Sequence, residues 1–228
     1  VPGERGERLA LRQHVPGQAT VTLLPALTDA ALAALPIAKR MRWGARRAEF
    51  VRPVHWVVML YGSTVVPGEV LGIATGRETR GHRVHGSARI TLERAADYES
   101  ALREKGFVVA DYAARRADVA AQVRAKAAEL GGTAVIDEAL LDEVSSLVEW
   151  PRALAGRFEE RFLEVPAEAL ISSMKQHQKY FHVVDANGAL LPCFITVSNI
   201  DSSDAQKVVD GNERVIRPRL TDAAFFFA

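Results

Sequence analysis

"YFHVVDANGALLPCFITVSN", residues 180–199, sets two runs of β-branched and aromatic residues on either side of Asp185-Ala186-Asn187-Gly188. Asp, Asn and Gly accept the tight backbone of a short turn, so the stretch predicts a hairpin of two alternating strands. Its first strand overlaps "ISSMKQHQKYFHVVD" (171–185), whose earlier half reads as a helix. Pro166 suits the first position of that helix, which is predicted to run to about Lys179. At a spacing of about 3.6 residues, Leu170, Ile171, Met174, His177 and Gln178 share one face, and Ser172, Lys175, Gln176 and Lys179 cover the rest. A helix seated on a hairpin by its apolar side points to an α+β fold.

Working towards the N-terminus, residues 1–20 read as a polar loop, with an edge strand at Ala19–Leu23 and a short helix from Thr28-Asp29 through Leu35. "PVHWVVMLYG" (53–62), "STVVPGEVLGIATG" (63–76, broken at Pro67-Gly68) and "ARITL" (88–92) read as strands. The texture from Ala95 to Glu149 is helical. Asp97 starts a helix to Lys105 that stops at Gly106, and Asp111 starts a long one through Leu130 that stops at Gly131-Gly132. Asp137 starts a third, with Leu140, Leu141, Val144 and Leu147 on one face. A final helix from about Asp204 is predicted to break at Pro218. The expected organisation is a β-rich basic part over 1–94, an acidic helical insertion over 95–150, a helix plus hairpin completing the body over 151–203, and a truncated helical region over 204–228. The chain opens on Val1 and closes on "TDAAFFFA" without a helix stop, so a longer protein cut inside a helix is expected. The sheet is expected to be mixed or antiparallel.

The 228 residues, 48% of them hydrophobic, can bury one large core or two small ones. No apolar run approaches the roughly 18 residues of a membrane helix. The single cysteine, Cys193, excludes an internal disulfide and suits the reducing cytoplasm. A net charge of +1 hides an uneven distribution. Residues 1–90 hold 13 Lys/Arg against 6 Asp/Glu, and residues 91–170 hold 10 against 16. The basic first part favours an anionic partner.

Chemistry is sparse. His177 and His182 are five apart across a helix–strand junction, and His82 and His85 lack a cysteine or carboxylate cluster, so no metal site is expected. His177 reads as a structural helix residue, and Cys193, in an apolar strand, as packing. No nucleophile elbow, Walker motif or dinucleotide fingerprint occurs, so neither a catalytic residue nor an ATP site is assigned to this chain. Basic clusters remain. "KRMRWGARR" (39–47) offers Arg42 and Arg46 around Trp43. "GRETRGHRVHG" (76–86) offers Arg77, Arg80, His82, Arg83 and His85 among glycines that let a backbone approach an anion. "NERVIRPRL" (212–220) places Arg214 and Arg217 on one helical face. Lys175 and Lys179, four apart, repel each other unless an anion lies nearby. These eleven residues are the candidate nucleic-acid contacts.

Several words, read together, resemble one family. "KRMRWG" (39–44), "EFVRPVHWVVMLYG" (49–62), "TRGHRVHG" (79–86), "LVEWP" (147–151), "FLEVPAEALISSMKQHQKYFHVVD" (162–185), "FITVSNI" (194–200) and "GNERVIRPRLTDAAFFF" (211–227) are similar to the β subunit of the bacterial heterotetrameric glycyl-tRNA synthetase. The first twenty or so residues and the helical block match weakly. The resemblance implies an α2β2 assembly in which the α subunit holds the aminoacylation site with ATP and glycine. It implies that this chain binds tRNA(Gly) and the α subunit and itself holds no cofactor. It further implies a body like the B3/B4 region of the phenylalanyl-tRNA synthetase β subunit. Two other roles stay open: an aminoacyl-tRNA deacylase, and a purely structural domain contacting the α subunit.

Overall fold

A computed structural model describes Pro2–Gly3, Gly6–Glu7, residues 13–45 and residues 47–227. Contacts divide the chain into two compact units, one of residues 1–79 with 93–95 and one of residues 80–92 with 96–228.

In the first unit, a helix at Thr20–Ala34 occupies the place of the expected edge strand and short helix. Most of the loop predicted over residues 1–12 lies outside the described residues, and 13–19 are irregular. Pro25 sits inside the helix, where a proline ordinarily breaks the hydrogen-bond ladder. Tertiary packing overrides it: Val21, Leu24 and Leu32 lie against Met59, Val66 and Val70. Gly68 runs beneath the Pro25 ring, where a Cβ would stand 2.8 Å from Pro25 Cγ. That glycine is the break seen in the sequence. The predicted strand runs are real but fragmented. Val57–Val58 pairs in parallel with Ile73–Gly76, which pairs antiparallel with Glu69–Val70 across Leu71-Gly72. Both turn residues have positive φ, as a two-residue hairpin requires.

The second unit is built on a four-stranded antiparallel sheet in the order Thr133–Ala134, Phe181–Val184, Leu190–Ser198, Arg152–Arg157. The predicted hairpin forms its centre, and Gly188 takes the left-handed turn position (φ 83°). Strand alternation separates two cores. Phe181, Val183, Cys193 and Ile195 pack with Val119, Val123, Leu141 and Val144 from the helices Tyr112–Glu129 and Glu138–Leu147. Phe194 and Tyr180, their rings stacked 4.4 Å apart, pack with Leu170, Met174, Ile216 and Leu220. The acidic segment thus supplies a helical layer over the sheet and one of its edge strands.

Two of the aspartate starts are observed as predicted, whereas Asp97 makes no side-chain capping bond and ends a 3-10 turn, Ala95–Asp97, that leads into its helix. Asp111 and Asp137 accept from the Ala114 and Leu140 amides at 2.6 and 2.9 Å. Leu147, by contrast, is 63% exposed, beyond the face that packs. The helix after Pro166 is α at Ala167–Ser172 and π at Ser173–His177. The wider π turn rotates His177 off the apolar face, so this residue is exposed rather than seated on the sheet. The C-terminal helix, Ala205–Phe227, passes through Pro218 unbroken. Ile216 and Leu220, fully buried on either side, hold it there. The edge strand Arg152–Arg157 was not predicted. Its Ala153 and Arg157 amides donate to Gln122 Oε1 (3.0 Å) and Glu213 Oε1 (2.8 Å).

Candidate nucleic-acid interface

The basic loop of the second unit begins at Arg80. Its glycines have a different use from the one expected. Gly81 and Gly86 bring the loop backbone against Gly106, at the end of the π turn Leu102–Gly106. A Cβ on Gly81 would overlap the Gly106 Cα, and one on Gly86 would lie 2.5 Å from the Gly106 carbonyl oxygen. The His82 amide donates to Gly106 O (2.6 Å) and the Ser87 amide to Lys105 O (3.1 Å). Close backbone approach here joins two protein segments rather than protein and anion.

His82, one of the candidate contacts, belongs to the same clamp. It is 4% exposed, and its Nδ1 accepts from the Val84 and His85 amides at 3.1 and 3.3 Å. That pattern places the proton on Nε2 and makes the ring the loop's anchor. Arg80 and Arg83 are exposed. Among the described residues no hydrogen bond or ion pair holds the Arg83 guanidinium.

His85 opens a ladder of rings. It stacks on His82 (centroids 5.1 Å apart) and lies 5.8 Å from Phe107, which meets Trp150 edge-on at 5.4 Å. The Arg152 guanidinium stands 4.8 Å above the Trp150 ring and its Nε lies 3.0 Å from Asp201 Oδ2. The Asp201 amide then donates to His85 Nε2 at 3.0 Å, closing the circuit. Asn199 Oδ1 accepts from the Glu149 and Trp150 amides and fixes the backbone beneath Trp150.

The remaining candidates are dispersed. Arg42 and Arg77 belong to the first unit; Arg42 pairs with Glu49 at 2.6 Å, and Arg77 bonds the Ser63 carbonyl and approaches Glu93 at 3.7 Å. Arg46 lies outside the described residues. Arg214 is exposed, and Arg217 pairs with Glu159 at 2.7 Å. Lys175 and Lys179 do not stand free: their ammonium groups lie 2.6 Å from Asp137 and 2.9 Å from Glu143. The anion that the lysine pair calls for is supplied by the chain itself. Lys175, with the Leu140 amide second, holds the Asp137 carboxyl below its ordinary range. Burial, helped by Lys175 and opposed by Asp137, lowers the pKa of His182. Burial raises that of the Cys193 thiol and keeps it protonated and inert. Among the described residues no group of three His, Cys, Asp or Glu is placed to hold a metal, and no helix is long and apolar enough to cross a membrane.

The family described as glycyl-tRNA synthetase beta subunit matches residues 2–228. The chain belongs to that family. It is 60% identical over 225 residues to the glycine–tRNA ligase beta subunit of Hahella chejuensis, covering 99% of this chain. It is 57% identical over 225 residues to that of Marinobacter nauticus and 60% over 224 residues to that of Chromohalobacter salexigens, covering 98% of this chain in both. The chain spans 32% of the length of each of these three relatives. In this member of the glycyl-tRNA synthetase beta subunit family, Phe107, Trp150 and Arg152 were not among the sequence candidates. Trp150 falls within "LVEWP", but no local spacing connects it to a loop some sixty-five residues earlier.

Proposed function

We propose that this chain is a tRNA-binding and assembly module of glycine–tRNA ligase. In this reading it works within an α2β2 enzyme whose α subunit holds ATP and glycine, in the cytoplasm. The naming of the relatives as glycine–tRNA ligase beta subunits supports it. The observation that carries the RNA contact is the loop with exposed Arg80 and Arg83, clamped by its glycines and His82 onto a packed sheet unit. Guanidinium groups on a clamped backbone match phosphate oxygens without the cost of ordering the loop. The sheet body is read as a B3/B4-like scaffold holding the acceptor end of the tRNA. Glycine is the smallest amino acid, so a tight synthetic pocket excludes competitors sterically and leaves a hydrolytic sieve little to remove.

The test uses full-length β with Arg80→Ala and Arg83→Ala, reconstituted with α. The expected result is weaker tRNA(Gly) binding and a salt dependence whose log–log slope is smaller by about 1 per lost phosphate contact at most. Stability should change by no more than about 0.5 kcal/mol. Unchanged affinity at every salt concentration assigns the loop to subunit contact instead.

A further inference from the structure

We propose that Phe107 is a stacking platform for an unpaired nucleobase, a site that deepens, and rests on, the RNA-binding reading above.

The first observation is backbone strain. Phe107 has φ 53° and ψ 46°, the left-handed region that bulky side chains avoid, at the end of the π turn Leu102–Gly106. Glycine is the usual residue at a left-handed helix end, and a glycine stands one position earlier. Gly106 has another task, because Gly81 and Gly86 both press against it. The left-handed position therefore falls on the next residue, and there the chain carries a phenylalanine rather than Gly or Asn. Strain of this kind persists where the surroundings over-determine it, and it marks functional positions.

The second observation is what the strain achieves. Phe107 is not driven into the core; it is 37% exposed. His85 and Trp150 flank it, and the contacts of Asp201 with His85 and Arg152 close the frame. The Trp150 Nε1 is buried without a hydrogen-bond partner among the described residues, a cost accepted to hold that indole in place. The ring is thus both presented and immobilised, so stacking on it requires no further ordering.

The third observation selects the partner. The two segments docked here, residues 80–89 and 103–107, carry Arg80, Arg83, Arg89, Arg103 and Lys105 against one carboxylate, Glu104. A rigid aromatic among exposed cations fits a ligand with both negative charge and flat π faces, as single-stranded nucleic acid has. The unpaired base lies on Phe107, and Arg83, on the loop that carries His85, takes a flanking phosphate.

The experiment uses the α2β2 enzyme with full-length β and a tRNA(Gly) transcript, with binding measured over a range of salt concentrations. Phe107→Gly relieves the left-handed strain while removing the ring. Phe107→Leu keeps apolar bulk without a π face, and Phe107→Tyr keeps the stack. We expect Phe107→Gly and Phe107→Leu to weaken binding by about 5- to 150-fold at every salt concentration, with the salt slope unchanged. Phe107→Tyr should bind within about twofold of the parent, since its ring offers the same face. Arg83→Ala should instead flatten the slope. If Arg80→Ala with Arg83→Ala weakens binding and Phe107→Leu does not, the platform is wrong and the RNA-binding reading stands. If neither does, both fall. Loss of the α subunit from the Phe107→Leu enzyme on gel filtration, with tRNA affinity of the β subunit intact, makes this surface a protein contact and overturns the proposal.

Discussion

The two units of this chain bury their apolar side chains in different ways. Among the described residues, the buried cluster of the first unit centres on Met59, Val66 and Val70, under a helix in which no residue is fully buried. Its strands are two to four residues long. The second unit has strands of six and nine residues with a layer of helices on each face, and Phe181, Phe194, Leu170 and Met174 are wholly inaccessible. Local stability follows buried apolar contact, so the first unit should open at lower free energy than the second. A surface loop is held still where the unit beneath it is deeply packed. The basic loop from Arg80 to Ser87 is fastened to the deeper-packed unit, although it follows the strands of the shallower one in sequence.

The largest effects are expected in the cores. Phe194→Ala should cost about 3–5 kcal/mol, because it removes a buried ring and the stacking partner of Tyr180. Met174→Ala should cost roughly 2–5 kcal/mol, and Met59→Ala should fall at the low end of the same range because its cluster is thinner. Urea unfolding of the three variants tests the order, and a Met59→Ala loss exceeding that of Phe194→Ala would reverse it. Next comes Gly81→Ala, which sets a methyl group against the Gly106 backbone. Overpacking of this kind costs about 1–3 kcal/mol, and amide exchange at His82 should accelerate while the sheet amides stay protected.

A smaller effect is expected from pH. The folded-state pKa of His182 is lowered from 6.5 by burial first and by Lys175 second. The unfolded chain then binds the proton more tightly. Its contribution is fully present above about 6.5 and is lost as pH falls towards the folded value. His182→Gln should flatten the stability profile on the acid side of neutrality, and an unaltered profile would assign that slope to other groups. Smallest of all, Lys175→Ala with Lys179→Ala should change stability by no more than about 1 kcal/mol, since both ion pairs are partly exposed. Charging assays of the reconstituted enzyme with this pair distinguish lysines that serve Asp137 and Glu143 alone from lysines shared with RNA.

The elements that were legible in the sequence are those whose signals are local. Asp111 and Asp137 mark helix starts because each carboxylate accepts from an amide three residues on, and Asp185 marks a turn because its carboxylate accepts from the Asn187 and Ala189 amides. The illegible elements depend on distant partners. Pro218 reads as a break, and Pro25 falls between an expected edge strand and an expected short helix, yet packing of their neighbours carries one helix through each. "RALAGR" has weak strand propensity and becomes a strand because Leu190–Ser198 pairs with it throughout, with Gly156 leaving room for the Phe194 ring. In the candidate site the arginines were visible as charge. The meaning of the glycines was not, because their partner Gly106 lies twenty residues away. The π turns, which moved His177 and placed the strain on Phe107, have no signature in a pattern of about 3.6 residues.

The side chains along the strand Arg152–Arg157 have one more consequence. A sheet margin with open amides is a template for strand addition by another molecule, and hence for fibrillar association. Here Gln122 and Glu213, from two different helices, already occupy the Ala153 and Arg157 donors. The opposite margin, Thr133–Ala134, is only two residues long. A chain seeking to extend the sheet meets two occupied donors on one side and a strand of only two residues on the other.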